Sequence, residues 1–476
     1  MKRMTLIQLN DLHGYMEPHQ EWFWGPCGFE YRKVGGLARI KTLVDQIRCR
    51  SDAVLFCDNG DTLHGTAPLV RTKGRIILPV LNRMGFSAMT AHWEFAYGPD
   101  VLMERTRELT YPLLAMNVYR KDDGARPFSA CVIREAGGVR VAILGIASNI
   151  VDKTMPPSYS KGLRFTDGRE ELPVILSQLR SQEHPDLVLL LSHLGFPQDQ
   201  RLLSEISGVD VCLSSHTHNR LYEPVKVGKT ILVQSGCHGS FLTRLDVGIS
   251  SGGVALLDHE LITVEESIAP DTEIQELVES LMKPFREELD EVVGTISPAL
   301  NRATMLESSA DTFLLQSILA VTNAEVAFSN GWRFGAPIPE GTITVNDLYN
   351  LTPMDPEISL VQLTGHELIE MIEENLERTF SRDPMQQMGG YIKRCLGLKT
   401  YFKAENPVNT RVQDMFVNGT RLDKRKSYTS AFITVQGVPQ RYGTRRSDSG
   451  VHAVEAMRRH LQNKPNAALQ STFALV

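Results

Sequence analysis

Six short, largely apolar runs constrain the fold of this chain more than any other feature: residues 4–9, 53–57, 141–146, 186–191, 209–213 and 231–233. Each is shorter than an ordinary helix, and a strand buried on both faces reads as a continuous apolar run. Helical periodicity fills stretches between them, for example 36–47 and 172–180. Strands alternating with helices give a layered α/β architecture. At 476 residues the chain is longer than one hydrophobic core usually organises, so two domains are expected.

Ala269-Pro270-Asp271 marks a connector. Asp271 suits a helix N-cap, and Ile274, Leu277, Val278, Leu281, Met282 and Phe285 follow at helical spacing. The segment 271–289 reads as one amphipathic linking helix, and from about residue 296 the pattern becomes mixed α+β. The expected organisation is a first domain over 1–262, a linker over 263–295 and a second domain over 296–476. Two strings in the second domain carry no chemistry. His366-Glu367-Leu368-Ile369-Glu370 lacks the second histidine of a zincin helix, and Thr364 with Glu367 reads as a capping box. Asn418-Gly419 reads as a hairpin turn before it reads as a glycosylation sequon.

Lysine and arginine number 50 against 56 acidic residues, a formal net charge of -6. That balance points away from nucleic acid and membrane surfaces as partners. No stretch approaches the roughly 18 apolar residues of a membrane helix. Met1-Lys2-Arg3-Met4 leads straight into the first strand without a signal-peptide core, so a cytoplasmic location is expected. The seven cysteines are scattered and lack CxxC spacing, as for reduced, mostly core residues.

The chemistry gathers at strand ends. Asp11-Leu12-His13-Gly14 follows the first run, Asp58-Asn59-Gly60-Asp61 the second, and Ser192-His193 and Ser214-Ser215-His216-Thr217-His218 two later ones; Met89-Thr90-Ala91-His92 joins them. The C-terminal ends of strands in an α/β sheet converge on one crevice. Each short string alone reads as a turn. Five of the 13 histidines and two aspartates placed after successive strands read together as a dinuclear metal site. The candidate ligands are Asp11, His13, Asp61, His92, His193, His216 and His218. Carboxylates mixed with imidazoles suit Mn, Zn or Fe better than Ca or Mg.

These motifs resemble those of the calcineurin-like metallophosphoesterases, in the branch fused to a 5′-nucleotidase C-terminal domain. The resemblance runs from Asp11 through Thr352-Pro353 to the C-terminal helix. It implies a four-layer β-sandwich flanked by helices, then an α+β domain that supplies substrate-binding residues. It also implies that Asp11, His13 and His218 hold one metal ion, His193 and His216 the other, and that Asp61 bridges them.

Departures from the nucleotidase pattern are specific. The motif GNHEFDYG stands here as Ala91-His92-Trp93-Glu94-Phe95-Ala96-Tyr97-Gly98. His92 replaces the metal-binding Asn, Trp93 the catalytic His, and Ala96 the Asp that orients it. The base-stacking Pro-Phe-x-Asn string is Pro353-Met354-Asp355-Pro356, and no GGDGY-like segment is present. The chain is similar instead to SoxB-type thiosulfohydrolases, which carry an HWEF string and segments like Gly331-Trp332-Arg333-Phe334-Gly335 and Met388-Gly389-Gly390-Tyr391-Ile392-Lys393-Arg394. Those enzymes use two manganese ions to release sulfate from a cysteine-bound thiosulfonate.

This likeness implies two divalent ions, Mn with Zn or Fe as alternatives, and a small-molecule or carrier-protein-bound thiosulfonate as substrate. Arg333 is the candidate oxyanion clamp and His64 the candidate general acid. Trp93, Tyr391 and Arg394 join Arg333 as candidate substrate-binding residues. Two other readings compete: a nucleotidase-type phosphoesterase of altered specificity, and a metal-holding protein without turnover.

Overall fold

The apolar runs are strands, and two sheets share them. In the first sheet the order is Gly253–Thr263, Phe241–Ser250, Lys2–Leu9, Val54–Asp58, Ala88–Met89. In the second it is Val225–Val227, Thr230–Val233, Val211–Leu213, Leu187–Ser192, Val139–Ile146, Cys131–Ala136, with the four inner strands mutually parallel. The computed structural model describes residues 1–389, 392–463 and 473–475. The chain divides into two units, Met1–Glu21 with Arg32–Pro284, and Trp22–Tyr31 with Phe285–Val476.

Period-two geometry explains the first unit's core. Val141, Ile143, Leu189, Leu191, Val211, Leu213, Ile231 and Val233 of the second sheet pack onto Met4, Leu6, Leu55, Cys57, Leu245 and Val247 of the first. The alternate residues Ala142, Leu144, Val188, Leu190, Cys212 and Leu232 face helices Glu171–Gln182 and Phe196–Glu205. On the other side, helix Leu37–Arg48 contacts strand Val54–Asp58 and buries Leu37, Ile40 and Val44. Helix, sheet, sheet and helix are the four expected layers.

The hairpin Phe241–Ser250/Gly253–Thr263 is not among the expected strands. Arg244 pairs with Asp246, Asp258 and Glu260 there, and these charges interrupt the apolar run. The linking helix is also shorter than expected. Asp271 caps it as expected, accepting from the Ile274 N–H at 2.9 Å. The helix, however, spans only Thr272–Met282, followed by a 3-10 turn Lys283–Phe285 and a short helix Arg286–Leu289. Pro284 has no N–H, and its ring obstructs a continuous α-helix.

The second unit is α+β. A five-stranded sheet runs Arg394–Leu396, Val326–Ser329, Ser427–Phe432, Glu357–Thr364, Thr444–His452. Leu368, Met371, Ile372 and Leu376 of helix Gly365–Phe380 pack on Val326, Phe328, Val361 and Leu363 of that sheet. Thr364 and Glu367 form the expected reciprocal capping box of this helix, and Asn418-Gly419 form the expected turn, with φ 46° and 81° between paired Val417 and Thr420. All seven cysteines are free, with Cys57, Cys212, Cys237 and Cys395 buried. No described helix is long and apolar enough to cross a membrane.

Candidate metal centre

Strand ends from both sheets bring seven ligand-type side chains together in the first unit. Asp61, His92, His193 and His216 offer ligand atoms all within 4.8 Å of one another, and so do Asp11, His13, Asp61 and His218. Asp61 belongs to both groups. Among these seven only His218 is not fully buried.

The local backbone is unusual in one respect. Asp11, His13, Asp61, His216 and His218 have φ of 50°, 47°, 55°, 72° and 57°. Left-handed backbone costs a non-glycine residue about 1 kcal/mol or more, and it persists where surrounding bonds impose it. Those bonds are present. Asn10 Nδ2 donates to Asp11 Oδ2 at 2.6 Å, and the His216 N–H donates to both Asp11 oxygens at 3.1 and 3.0 Å. The Trp93 N–H donates to Asp61 Oδ1 at 2.7 Å. His193 Nδ1 lies 2.6 Å from the Asn59 carbonyl, which only accepts, so the ring's Nε2 is turned to the carboxylates.

Glu94 is the organising residue that the sequence did not reveal. Its buried carboxylate accepts from the backbone N–H of Thr62 at 2.6 Å, His92 at 2.7 Å, Leu63 at 3.2 Å and Asp61 at 3.3 Å. It thereby ties the Asp61 loop to the His92 loop. A Glu94→Gln amide would aim N–H at those donors, and partners of this kind are worth about 10–100-fold in metal affinity. Titrating metal-free Glu94→Gln protein with Mn is expected to show that loss, and wild-type affinity would contradict the role.

The electrostatics suit cations. Burial alone would raise Asp61 and Asp11, but imidazoles dominate and hold both carboxyls below the ordinary range: His92, His193 and His13 around Asp61, His218 and His193 around Asp11. His193 shows the converse. Burial pushes it down, yet Asp61 and Asp11 lift it to about 10. Its Nε2 lies 3.2 Å from Asp61 and 3.6 Å from Asp11. Two buried carboxylates among imidazole nitrogens draw positive charge to their centre, and this donor set fits borderline divalent ions.

The other expected site residues differ in their surroundings. Trp93 is 8% exposed and stacks on His64 with ring centroids 4.7 Å apart at 21°. Burial lowers His64 to about 4, so its imidazole is neutral near pH 7. Unfolded histidine takes up a proton near 6.5, whereas folded His64 resists until about 4. Its stabilising contribution is therefore complete above 6.5 and is lost as pH falls towards 4, about 2 kcal/mol of it by pH 5. Urea unfolding of metal-free protein should show a smaller acid loss for His64→Gln than for wild type; equal losses would contradict the assignment.

Arg394 is 2% exposed, and its guanidinium pairs with Asp311 at 3.2 Å and donates to the Met305 and Thr304 carbonyls at 2.6 and 2.8 Å. These three partners all lie in its own unit. Arg333 lies half-buried in the second unit after strand Val326–Ser329. Tyr391 lies outside the described residues.

Comparisons with known proteins agree with this architecture. Residues 292–434 match the family model for the 5′-nucleotidase C-terminal domain. The trifunctional nucleotide phosphoesterase YfkN of Bacillus subtilis is 22% identical over 88% of this chain, which spans 30% of that protein's length. A 5′-nucleotidase of Vibrio vulnificus is 21% identical over 90% of the chain and 83% of its own length. Among solved structures, the sulfate thiohydrolase SoxB of Thermus thermophilus superposes with TM-score 0.91 at 24% identity, covering 99% of this chain and 96% of that one. A 5′-nucleotidase precursor from the same organism gives TM-score 0.87 at 23% identity over 100% and 99%.

Proposed function

We propose that this chain, a member of the 5′-nucleotidase superfamily of hydrolases by its C-terminal family match and its fold, is a dinuclear-metal hydrolase of SoxB-like specificity that releases sulfate from a thiosulfonate. The observation that carries this reading is the pairing of a complete two-lobed ligand cluster sharing Asp61 with Trp93 and Ala96 in place of the nucleotidase His–Asp pair. Trp93–Tyr97 is a 3-10 helix, so residues 93 and 96 are eclipsed on one side. A catalytic His and its orienting Asp would occupy that side in a nucleotidase; here an indole and a methyl group do.

Bound at the two lobes, divalent ions, for which we favour Mn, supply an acidified water and neutralise charge on the oxygens of a tetrahedral sulfur or phosphorus centre. The protein's own residues hold the geometry. Asp61 spans both lobes, Glu94 locks the Asp61 and His92 loops, and burial excludes bulk water. Net hydrolysis adds water across the sulfur–sulfur bond: the sulfonate leaves as sulfate, and the remaining sulfur keeps the bonding electrons and takes up a proton.

The alternative substrate class, a nucleotide phosphoester, is favoured by the names of the curated relatives. Assays of the Mn-loaded full chain on thiosulfonates and on a nucleotide panel separate the two. Sulfate release well above phosphate release is expected; turnover of AMP or a UDP-sugar at about 10² s⁻¹, within the usual enzyme range, would overturn the thiosulfonate reading.

A further inference from the structure

A third group of ligand-type side chains is built into the first unit beside the seven-residue centre. His19, Glu21 and His238 offer ligand atoms within 4.8 Å of one another, and Ser240 completes the group. Ser240 Oγ donates to Glu21 Oε2 at 2.9 Å and lies 3.0 Å from His19 Nε2, while His238 Nδ1 lies 3.4 Å from the same Glu21 oxygen. Glu21 and His238 are 1% and 3% exposed.

The tautomer of His19 is set from outside the group. Its Nδ1 lies 3.2 Å from the Glu17 carbonyl, an acceptor only, so Nδ1 carries the proton and the Nε2 lone pair faces inward. An outer N–H held by a carbonyl is how metal-binding imidazoles are usually oriented. Spacing agrees with chemistry. A tetrahedral ion with bonds of about 2.0–2.1 Å holds its ligand atoms roughly 3.3 Å apart, and the measured gaps here are 2.9, 3.0 and 3.4 Å.

Charge states agree as well. Burial lowers His19 to about 4, which leaves a neutral imidazole. Burial would raise Glu21, but His238 and Arg220 outweigh it and bring the carboxyl to about 2, which leaves a carboxylate. Arg220 donates to the other oxygen, Oε1, at 2.8 Å, so Oε2 is the oxygen presented to the imidazoles. His238 has the left-handed backbone of the main ligands, φ 60°, and its N–H donates to the Asp11 carbonyl at 2.7 Å. Its ring lies 5.9 and 6.1 Å from those of His13 and His218.

We propose that His19, Glu21, His238 and Ser240 form a third cation site adjoining the dinuclear centre, selective for an ion that prefers nitrogen, zinc rather than manganese. Two imidazoles in a four-atom set give zinc its advantage in the ordinary affinity order. The guanidinium of Arg220 opposes a nearby cation, so this ion is the most weakly held and the first removed by a chelator. The site does not depend on which substrate the enzyme takes.

The probe is Zn²⁺ itself, added in excess to the full chain, dialysed, and counted per chain by elemental analysis. Wild type is expected to hold three zinc ions, and His19→Ala and Glu21→Gln two each, whereas loading with manganese alone gives two. Zinc-edge anomalous diffraction should place the third peak among His19, Glu21 and His238. Two zinc ions in wild type, or three in either variant, would overturn the proposal. The wild-type count decides the matter even where a variant fails to fold.

Discussion

Asp61→Asn is expected to lose most of both ions of the dinuclear centre, as elemental analysis of the Mn-loaded variant would show. Asp61 is the residue common to both ligand groups, and an amide offers one weak donor oxygen where the carboxylate offers two charged ones. The loss should exceed that from any single histidine, because each histidine serves one lobe. Its carboxylate also accepts the Trp93 N–H, so the loop that carries His92 is expected to loosen with it. Retention of two ions per chain in Asp61→Asn would contradict the shared-ligand geometry.

The second large effect concerns substrate choice. Trp93→His combined with Ala96→Asp restores the nucleotidase pair on the side of the 3-10 helix where residues 93 and 96 coincide. One positioned donor to developing charge is worth about 10²–10³ in rate. The double variant is therefore expected to hydrolyse AMP about 10²-fold faster than wild type at equal metal content, as read by phosphate release. An unchanged rate would mean that Trp93 and Ala96 do not set the chemistry of the site.

The clustering of the seven candidate side chains was legible in the sequence for a simple reason. Each lies within five residues after a buried apolar strand, and both sheets of the sandwich direct such ends to one side of the unit. The layers themselves were legible because strands buried on two faces leave unbroken apolar runs. Glu94 was not, although it lies in a motif quoted for its neighbours. Its importance comes from four backbone N–H groups on two loops that meet only in the folded chain.

The partner of Arg394 was equally illegible, because Asp311 lies on helix Ser309–Val321, far away in sequence. The long hairpin Phe241–Ser250/Gly253–Thr263 escaped because Arg244 and Asp246 break the apolar run of its first strand, and its second strand has no buried residue. The third cluster escaped because His19, Glu21 and His238 follow no common sequence pattern, and only the fold places His238 beside the strand His19–Gly25.

Whether two ions share Asp61 in one buried centre is readable by electron paramagnetic resonance of the fully Mn-loaded full chain. Two manganese ions about 4 Å apart with a common carboxylate are expected to give an exchange-coupled spectrum at two ions per chain, and Asp61→Asn should abolish it. Two magnetically isolated manganese signals in wild type, or a single ion per chain, would contradict the account.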